Sequence, residues 1–438
     1  DRQVREIWLK RKSQGSMQDR PEPGSSFACH GPALGQTSYR CSCSKQSLGR
    51  CRGRSPSSRE PSRSERSGRD LPAGPLVSTG GQGIIVVGGR SHRQGGRPYY
   101  TLDGLLAIVA LRHTGCRLAI ELWHDHDPAL LRAPSPELTR GGVILRDFHD
   151  VPHGTHWLGW QLPSLALLYS RFAEALYLDA DNVALVDPTS MFSSVHYRQR
   201  GAIFWPDHDL HYAENPIWAV INRNAHPGQG TETGQLLVNR SRHWAALALA
   251  AHFNDRGPNY YYNMFYGNKE LWRFSWLARR KPFHLVPVMP EVVGYRASAG
   301  AFCGNTLLQH NPDNHVDIMF AHRVGAKLSN TSSNRSAWTT LKGWDRNDPW
   351  NRRKASKGCG GGAFDLPSDP RWSEAAIKLL GRMRGLERRL IRFRARLTFG
   401  NETPALRPQW WRAWSRALKV GHRARDWRRA QEVGARGA

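Results

Sequence analysis

The stretch Leu176-Tyr-Leu-Asp-Ala-Asp-Asn182 decides how the rest of this chain is interpreted. Its apolar and aromatic half predicts a short buried strand, and Asp179 and Asp181 stand where that strand ends. Open α/β sheets bind ligands at the carboxyl ends of their strands. Two neighbouring carboxylates repel each other, and a hard cation such as Mg²⁺ or Mn²⁺ relieves that repulsion and bridges to phosphate oxygens. An Asp-rich turn without a ligand is the alternative, since Asp and Asn are ordinary turn residues.

The residues before this stretch predict a parallel sheet. Residues 81–89 form a glycine-bounded apolar run of strand length, 102–112 carry apolar residues at helical spacing, and 117–123 predict a second strand. Strand, helix and strand in this order indicate a βαβ unit and an α/β fold. Further strands are predicted at 143–148, 201–206, 231–238, 283–290 and 292–295, and further helices at 162–172, 244–253 and 270–278.

The net charge of +27 is concentrated in the two flanks of the chain. Residues 1–78 carry 15 basic and 7 acidic side chains and residues 331–438 carry 25 and 9, whereas residues 79–330 carry 23 and 20. The basic charge therefore says little about the core, and no nucleic acid is expected to bind the core; a polyanion partner of the flanks is an alternative to a solvated tail. The first flank is predicted to be disordered. The second is predicted to be a largely disordered basic tail with an Arg-rich helix at 372–397, either solvated or directed at an anionic surface.

The seven cysteines and the apolar runs say little about metal sites, disulfide pairing or membrane spans. Four cysteines crowd into the first flank, but Cys41-x-Cys43 lacks the spacing and the second half of a zinc site. An odd number of cysteines excludes complete pairing. No run of about 18 apolar residues is present, and the chain begins at Asp1. We therefore expect no membrane span within this sequence, and an anchor or a signal peptide could lie upstream of it.

Two further motifs fit the same site as the Asp pair. His322, Gly325 and Lys327 are spaced H-x-x-G-x-K. The imidazole can complete the shell of a metal ion, the glycine lets the backbone approach a diphosphate, and the lysine offers it a positive charge. Glu232 and Gln235 stand at the mouth of a predicted strand, where they are suited to hold a sugar or accept its protons. Each motif alone has a purely structural alternative, but together they predict a site for a metal ion and a sugar nucleotide.

Seven short sequence motifs follow one another between residues 80 and 330. In chain order they are Leu111-Arg112 with Gly115 and Leu118–Trp123; Gly159–Leu162; Leu176–Asn182 with Asp187-Pro188 and Phe192; Gly201–Asp207; Glu232 with Gly234, Gln235, Arg242 and His243; Gly267–Glu270; and Phe320–His322 with Lys327-Leu328. Together they resemble the fungal Golgi α-mannosyltransferases of glycosyltransferase family 71. The resemblance implies the GT-A fold, a Rossmann-like mixed sheet flanked by helices, and it covers neither flank.

The resemblance also implies an activity, a metal and a set of roles. The implied reaction is transfer of mannose from GDP-mannose to a mannosyl acceptor on a glycoprotein glycan, with retention, in the Golgi lumen. Mn²⁺ or Mg²⁺ would be held by Asp179, Asp181 and His322. The donor-binding residues would be Arg112, Gln161, Asp179, Asn182, Gly325 and Lys327. The catalytic candidates are Glu232, Gln235 and Asp209, and the acceptor side is assigned to Asn268, Lys269 and Glu270.

Two positions depart from the family pattern. Pro163 stands where the family usually has Lys, and Asn268 stands where it usually has Asp. A catalytically degenerate transferase is therefore one alternative. A nucleic-acid or membrane-surface binder that acts through the basic flanks is another.

Overall fold

One compact unit contains every residue that is described here. The computed structural model describes residues 80–88, 99–127, 130, 141–151, 159–265, 267–296, 302–330, 337–342, 358–359, 373–399 and 405–406. The flank 1–78, predicted to be disordered, lies outside these residues. Among the described helices, none is long and apolar enough to cross a bilayer.

A seven-stranded mixed sheet forms the centre of the fold, with the strand order β3-β2-β1-β4-β7-β6-β8. Its strands are β1 (Gln82–Val87), β2 (Ala119–His124), β3 (Val143–Asp147), β4 (Glu174–Asp179), β6 (Ala202–His211), β7 (Gly228–Asn239) and β8 (His284–Leu285). The first four run parallel, and β7 is antiparallel to both of its neighbours. The predicted α/β class with a mixed sheet is thus confirmed.

The strand order reverses at β1. Its register joins Ile85 to Glu121 of β2 on one side and to Tyr177 of β4 on the other. The chain therefore builds outward in one direction through β2 and β3, and then returns to add β4 beside β1. This switch point puts the ends of β1 and β4, Val87 and Asp179, side by side, where open α/β sheets form their ligand crevice.

A second sheet has the strand order β12-β9-β10-β11-β5, with β13 paired to β10. Its strands are β5 (Asn182–Ala184), β9 (Glu291–Arg296), β10 (Phe302–His310), β11 (Ile318–His322), β12 (Thr340–Lys342) and β13 (Gly358–Cys359). Two short strands, β14 (Thr398–Phe399) and β15 (Ala405–Leu406), pair separately. Because β5 begins directly after Asp181, the two sheets meet at the Asp pair.

Helices cover both faces of the central sheet. They are α1 (Tyr99–His113), α2 (Leu162–Tyr169), α3 (Val195–Arg200), α4 (Ile217–Val220), α5 (Arg240–Asp255), α6 (Leu271–Ala278) and α7 (Ser373–Leu397). Side chains alternate along each strand, so Leu176 and Leu178 join the core that contains α1, α7 and the second sheet. Tyr177 points the other way, into the core formed with α2, α5 and α6.

Most predicted elements appear within a few residues of their predicted bounds. The strand predicted at 283–290 is an exception, because only His284–Leu285 pair in the sheet. Pro287 and Pro290 lack the N–H that a sheet ladder needs, and this explains the short strand. The second sheet as a unit had no prediction. Strands β9, β10 and β11 pair with their neighbours in the chain, but β5 joins them from a distant segment.

The predicted domain boundary at residue 330 needs correction. The helix predicted at 372–397 forms at Ser373–Leu397, but it is no solvated tail, since Met383, Leu390 and Leu397 are buried in the main core. Glu387 at its middle is fully buried and lies 2.7 Å from a guanidinium nitrogen of Arg323. The folded domain therefore includes residues well beyond 330.

We expect Glu387→Ala to destabilise the protein by about 3–5 kcal/mol, because it leaves the charge of the buried Arg323 uncompensated. It also removes the acceptor of the Ala337 and Trp338 backbone N–H groups. Urea unfolding measures the change. Lys378→Ala, in an exposed pair with Glu374 on the same helix, serves as the control and should leave the unfolding midpoint unchanged. Equal unfolding midpoints for both variants would show that α7 is not part of the folded core.

His243 is a buried histidine in α5. Its Nε2 lies 2.8 Å from the carbonyl oxygen of Arg200, and its ring stacks on Trp276 with centroids 5.6 Å apart. Burial lowers the pKa of His243 to about 4, against the opposing effect of the hydrogen bond to Arg200 and with a further lowering by Arg242. The folded protein therefore holds this imidazole neutral.

This lowered pKa predicts loss of stability in acid. The unfolded chain takes up the proton near the ordinary pKa of about 6.5, before the folded chain does. The contribution of His243 is thus full above pH of about 6.5 and is lost as the pH falls toward about 4. His243→Gln keeps an N–H donor without a titratable group, and urea unfolding across this pH range should show a flatter dependence. The same pH dependence of stability in both proteins would show that His243 is not the group responsible.

Candidate functional site

Backbone pairing brings the Asp pair and His322 together. The chain leaves β4 at Asp179, turns at Ala180 and Asp181, and enters β5 at Asn182. Strand β5 pairs antiparallel with β11, and this register places Asn182 opposite His322. The N–H of Arg323 donates to the carbonyl oxygen of Asp181 at 2.9 Å. The imidazole is thereby fixed over the two carboxylates.

The side chains converge on one point. His322 Nε2 lies 3.2 Å from Asp181 Oδ1 and 3.6 Å from Asp179 Oδ2. The other oxygen of Asp181 accepts a hydrogen bond from the ammonium group of Lys327. One ligand atom each from Asp179, Asp181 and His322 lies within 4.8 Å of the others. The predicted metal residues are therefore adjacent, with Lys327 beside them.

The donor set fits a small divalent cation. Ligands at about 2.1 Å from an octahedral ion and at right angles to each other are about 3 Å apart. The two separations from His322 Nε2 are near this value. Two carboxylate oxygens and one imidazole nitrogen suit Mg²⁺ or Mn²⁺. Asp179, Asp181 and His322 would thus hold such an ion on one side and leave its other positions open.

Charge balance governs the protonation of this cluster. Burial alone would raise the pKa of Asp181, but Lys327 and His322 hold it well below its usual range. Burial likewise opposes the charge on His322, yet Glu232 and Asp181 raise its pKa well above the ordinary value. Asp181 and Asp103 raise the pKa of Lys327 against the effect of burial. The protein therefore stabilises two cations around Asp181.

Asp179 receives less compensation than Asp181. Burial raises its pKa to about 6, and the negative charges of Asp181 and Glu232 add to this, while His322 and a hydrogen bond from Tyr177 oppose it. The hydroxyl of Tyr177, two residues earlier on the same face of β4, donates to Asp179. A carboxyl group with a raised pKa beside an ionised neighbour is a place where an additional cation gains binding energy.

Glu232 and Gln235 lie at the base of this cluster. Glu232 Oε1 is 2.8 Å from His322 Nδ1, and both of its oxygens accept from the N–H of Gly234. Gln235 Nε2 donates to Glu232 Oε2 at 3.0 Å, and Gln235 Oε1 accepts from Asn182 at 2.7 Å. These contacts occupy both side chains. The structure therefore places Glu232 where it orients His322, with Gln235 behind it, and their direct action on the sugar stays a prediction.

Lys327 has partners that the sequence analysis did not identify. Its ammonium group lies 5.0 Å from the ring centroid of Tyr100. Asp103 is buried near Lys327 and accepts from the backbone N–H of Ser329 at 3.0 Å. Burial raises the pKa of Asp103 to about 6, and Lys327 opposes that shift. No local sequence pattern predicts this contact, because Asp103 and Ser329 are 226 residues apart in the chain.

The backbone N–H of Gly325 has a partner in the second sheet. It donates to the carbonyl oxygen of Asn305 at 2.9 Å. The prediction that the backbone approaches a diphosphate at Gly325 stays a prediction. Asn182 keeps a place in the site, because its amide holds Gly234 and Gln235 in position.

The predicted acceptor side forms a second polar group beside Glu232. Lys269 contacts the carboxylates of Asp207 and Asp209. Glu270 is buried and accepts from the backbone N–H and the hydroxyl of Thr231, each at 2.9 Å. The side chain of Asp209 is 72% exposed. Among the three predicted catalytic residues, Asp209 is thus the one with a carboxylate open to solvent.

Asn268 is half-buried in the turn that precedes α6. Its carbonyl oxygen accepts from the N–H of Leu271 at 3.1 Å, so it begins that helix beside Lys269. The effect of an amide at this position, in place of the usual carboxylate, stays a prediction.

Two predicted donor-binding residues, Arg112 and Gln161, have backbone partners within the fold. Arg112 stands at the far end of α1 from Tyr100, 12 residues or about 18 Å along the helix. It donates to the carbonyl oxygens of Cys116, Gly141 and Gly142. Gln161 is buried and donates to the carbonyl oxygen of Asn254 at 2.8 Å. Both side chains thus join segments of the fold, and their donor-binding role stays a prediction.

The fold and the site define the class of protein. The carboxylates, the imidazole and the ammonium group lie at the switch point of an open α/β sheet, where such sheets bind ligands. Their charges suit a metal ion and a phosphate-bearing ligand. This is a ligand site of the kind expected for a transferase that uses a nucleotide sugar.

Comparison with known families agrees with this class. The family model described as "Mannosyltransferase putative" matches residues 81–225 and 222–311, more than half of the chain. The chain belongs to this family of mannosyltransferases. His322 and Lys327 lie beyond the matched residues.

Curated relatives are fungal proteins. The alpha-1,2-mannosyltransferase MNN23 of Candida albicans is 25% identical over 300 residues, which are 56% of this chain and 48% of the relative. MNN24 of the same organism is 29% identical over 222 residues, 42% of this chain and 30% of the relative. MNN2 of Saccharomyces cerevisiae is 26% identical over 282 residues, 53% and 45%. The chain spans about half or less of the length of these relatives.

Solved glycosyltransferases show a lower similarity. The galactosyltransferase LgtC, in complex with donor and acceptor sugar analogues, is 13% identical with a TM-score of 0.33, over 47% of this chain and 73% of that one. The glycosyltransferase GlyE of Streptococcus pneumoniae is 14% identical with a TM-score of 0.33, over 48% and 46%. The fold class therefore rests on the strand order described above.

We expect Gly234→Ala to weaken Mn²⁺ binding by at least about 10-fold, a loss of the size seen when the groups that orient a metal ligand are disturbed. A Cβ at this position would lie 2.3 Å from His322 Nδ1, so the imidazole must leave its place. Gly228→Ala on the same strand is the matched control, because its Cβ would meet nothing within 4 Å. Calorimetric titration with Mn²⁺ measures both. Equal affinities would show that the position of His322 does not limit metal binding.

Proposed function

We propose that this protein is a metal-dependent α-mannosyltransferase that transfers mannose from GDP-mannose to a mannosyl acceptor on a glycoprotein glycan, with retention. The observation that carries the proposal is the convergence of Asp179, Asp181, His322 and Lys327 at the switch point of the sheet. Membership of the mannosyltransferase family supports the choice of sugar. The printed names of the relatives support an α-1,2 linkage.

Mn²⁺ or Mg²⁺ held by Asp179, Asp181 and His322 would supply positive charge to the diphosphate of the donor. Lys327 supports the same oxygens from the chain itself. Its ammonium group lies between Asp181 and the ring of Tyr100, and its raised pKa keeps it charged. As the bond from the sugar to the diphosphate breaks, negative charge grows on the leaving oxygen, and a fixed cation near it lowers the barrier.

Glu232 positions the imidazole. The contact from His322 Nδ1 to Glu232 Oε1 leaves Nε2 facing the Asp pair. A carboxylate that accepts from one nitrogen of a metal-binding histidine fixes the tautomer and the ring orientation. Gly234 and Gln235 hold Glu232 in turn. Glu232 is thus a positioning residue for the metal site.

The transfer exchanges one bond to the anomeric carbon for another. The bond from this carbon to the diphosphate oxygen breaks, and a bond to an acceptor hydroxyl oxygen forms. The hydroxyl proton leaves to a base, and the products are GDP and the extended glycan. The exposed carboxylate of Asp209, beside Lys269, offers hydrogen-bond acceptors to the hydroxyl groups of an acceptor.

A Golgi lumenal location belongs to the same proposal, with membrane association through a segment outside this sequence. Cys303 is disulfide-bonded, and disulfides persist in the oxidising secretory compartments. The resemblance to Golgi enzymes supports the same compartment. Fractionation of cells that express the full-length protein would test it.

We expect Asp181→Asn to lower Mn²⁺-dependent transfer from GDP-mannose by at least about 10²-fold, the order of loss when one fixed charge at a reacting oxyanion is removed. The variant loses a metal oxygen and the partner of Lys327. Release of GDP in the presence of a mannose oligosaccharide measures the rate. Asp255→Asn, an exposed carboxylate beside Arg256, is the matched control and should keep full activity.

Two outcomes would overturn parts of this proposal. Full activity of Asp181→Asn, or of the wild type in EDTA, would exclude the metal role. Binding of GDP-mannose by the wild type without turnover on any mannosyl acceptor would instead identify a degenerate transferase, with Asn268 as the first position to restore to Asp.

A further inference from the structure

A group of three histidines lies at the edge of the central sheet that β8 forms. His196 belongs to α3, His284 begins the edge strand β8, and His315 lies in the turn between β10 and β11. One nitrogen of each ring lies within 4.8 Å of the others. Three separate segments of the chain therefore bring three imidazoles to one place, which we call the three-histidine cluster.

The nitrogens of this cluster have unmet hydrogen-bonding capacity. His196 Nδ1, His284 Nε2 and His315 Nε2 are buried, and within the described part of the chain none of the three has a hydrogen-bond partner. A buried polar atom without a partner costs free energy comparable to a lost hydrogen bond. Three such atoms on neighbouring rings are explained if they share a ligand.

The surroundings of His284 favour its neutral ring, which is the form of imidazole that binds a metal ion. Burial lowers the pKa of His284 to about 4, and His196 and Arg200 add to this lowering, while Asp313 opposes it. The carboxylate of Asp313 also accepts from the hydroxyl of Ser194 at 2.6 Å. Ser194 is the residue before α3, so the turn that carries His315 is already tied to the helix that carries His196.

The rings of His196 and His284 stack in parallel, with centroids 3.9 Å apart and planes 3° apart. A metal ion lies in the ring plane of each histidine that binds it. Two parallel stacked rings cannot share one ion in this orientation, so at least one ring must rotate when the ion binds. The terminal torsion of histidine is soft, and both rings are half-buried, which permits this rotation.

The cluster is separate from the candidate active site. Strands β7 and β6 lie between β4, which carries Asp179, and β8, which carries His284. At the spacing of neighbouring strands, β4 and β8 are about 14 Å apart. The two groups of metal-binding side chains have no residue in common.

We propose that His196, His284 and His315 form a second metal site, selective for a borderline transition metal such as Zn²⁺. Three imidazole nitrogens favour Zn²⁺ over Mg²⁺ or Mn²⁺ and leave a fourth position for water. The ion would join the β10–β11 turn to the edge of the central sheet. Because β11 begins three residues after His315 and ends at His322, this joint holds the strand that supplies the histidine of the other site.

The test is titration of the full chain, purified with EDTA and dialysed, with Zn²⁺ by calorimetry and with Co²⁺ by its visible absorption. We expect one equivalent with the spectrum of a nitrogen-ligated, low-coordinate Co²⁺ ion. His284→Gln and His315→Gln should each weaken binding of this equivalent at least about 100-fold. His284→Cys, which offers a thiolate ligand, should retain it. Zn²⁺ should raise the Tm of the wild type but not that of His315→Gln.

Two controls separate this site from others. His149→Gln removes a half-exposed histidine that faces Asp125, and it should keep the equivalent. Asp181→Ala disrupts the candidate active site and should also keep it. The proposal is overturned if the Gln variants bind Zn²⁺ as the wild type does, or if Asp181→Ala abolishes the Co²⁺ spectrum. Equal Tm values in EDTA for the wild type and His315→Gln would show that the variant is folded.

Discussion

The pairing of β5 with β11 is the contact on which the candidate site depends. It sets Asn182 opposite His322, 140 residues later in the chain, and so delivers an imidazole to two carboxylates that would otherwise repel each other. Antiparallel pairing fixes the register, and a shift of one residue would turn His322 to the opposite face of its sheet. The position of one side chain in the site is therefore set by the backbone hydrogen bonds of a whole strand.

Charge compensation explains why so many ionisable groups are buried in one place. Asp179, Asp181 and Glu232 surround His322, and Lys327 completes the balance at Asp181. Without a metal ion, Lys327 and His322 are the countercharges. A bound ion would compete with both for Asp181. Asp103, close enough to Lys327 to raise its pKa, would then provide the ammonium group with a second carboxylate.

The sequence predicts what depends on local pattern. Periodicity located most strands and helices, and spacing identified Asp179, Asp181, His322 and Lys327 as one set. Roles that depend on distant contacts were not predictable in this way. The resemblance assigned Arg112 to the donor, but its neighbours are carbonyl groups about 30 residues away. Glu232 was predicted as catalytic because a carboxylate at a strand mouth can hold a sugar or accept its protons, whereas the sequence does not show that both oxygens have partners in the fold.

The same distinction explains why the domain boundary was misplaced. The Arg-rich composition of α7 is typical of a solvated helix. One face of this helix is buried in the same core as α1, and composition alone does not predict that packing. Glu387 of α7 contacts Arg323, the residue after His322, and Arg394 of α7 donates to the carbonyl oxygen of Leu328, the residue after Lys327. Helix α7 thus contacts the residue directly after His322 and the residue directly after Lys327. A fragment that ends at residue 330 would keep every predicted ligand but would lose the helix that keeps His322 and Lys327 in position.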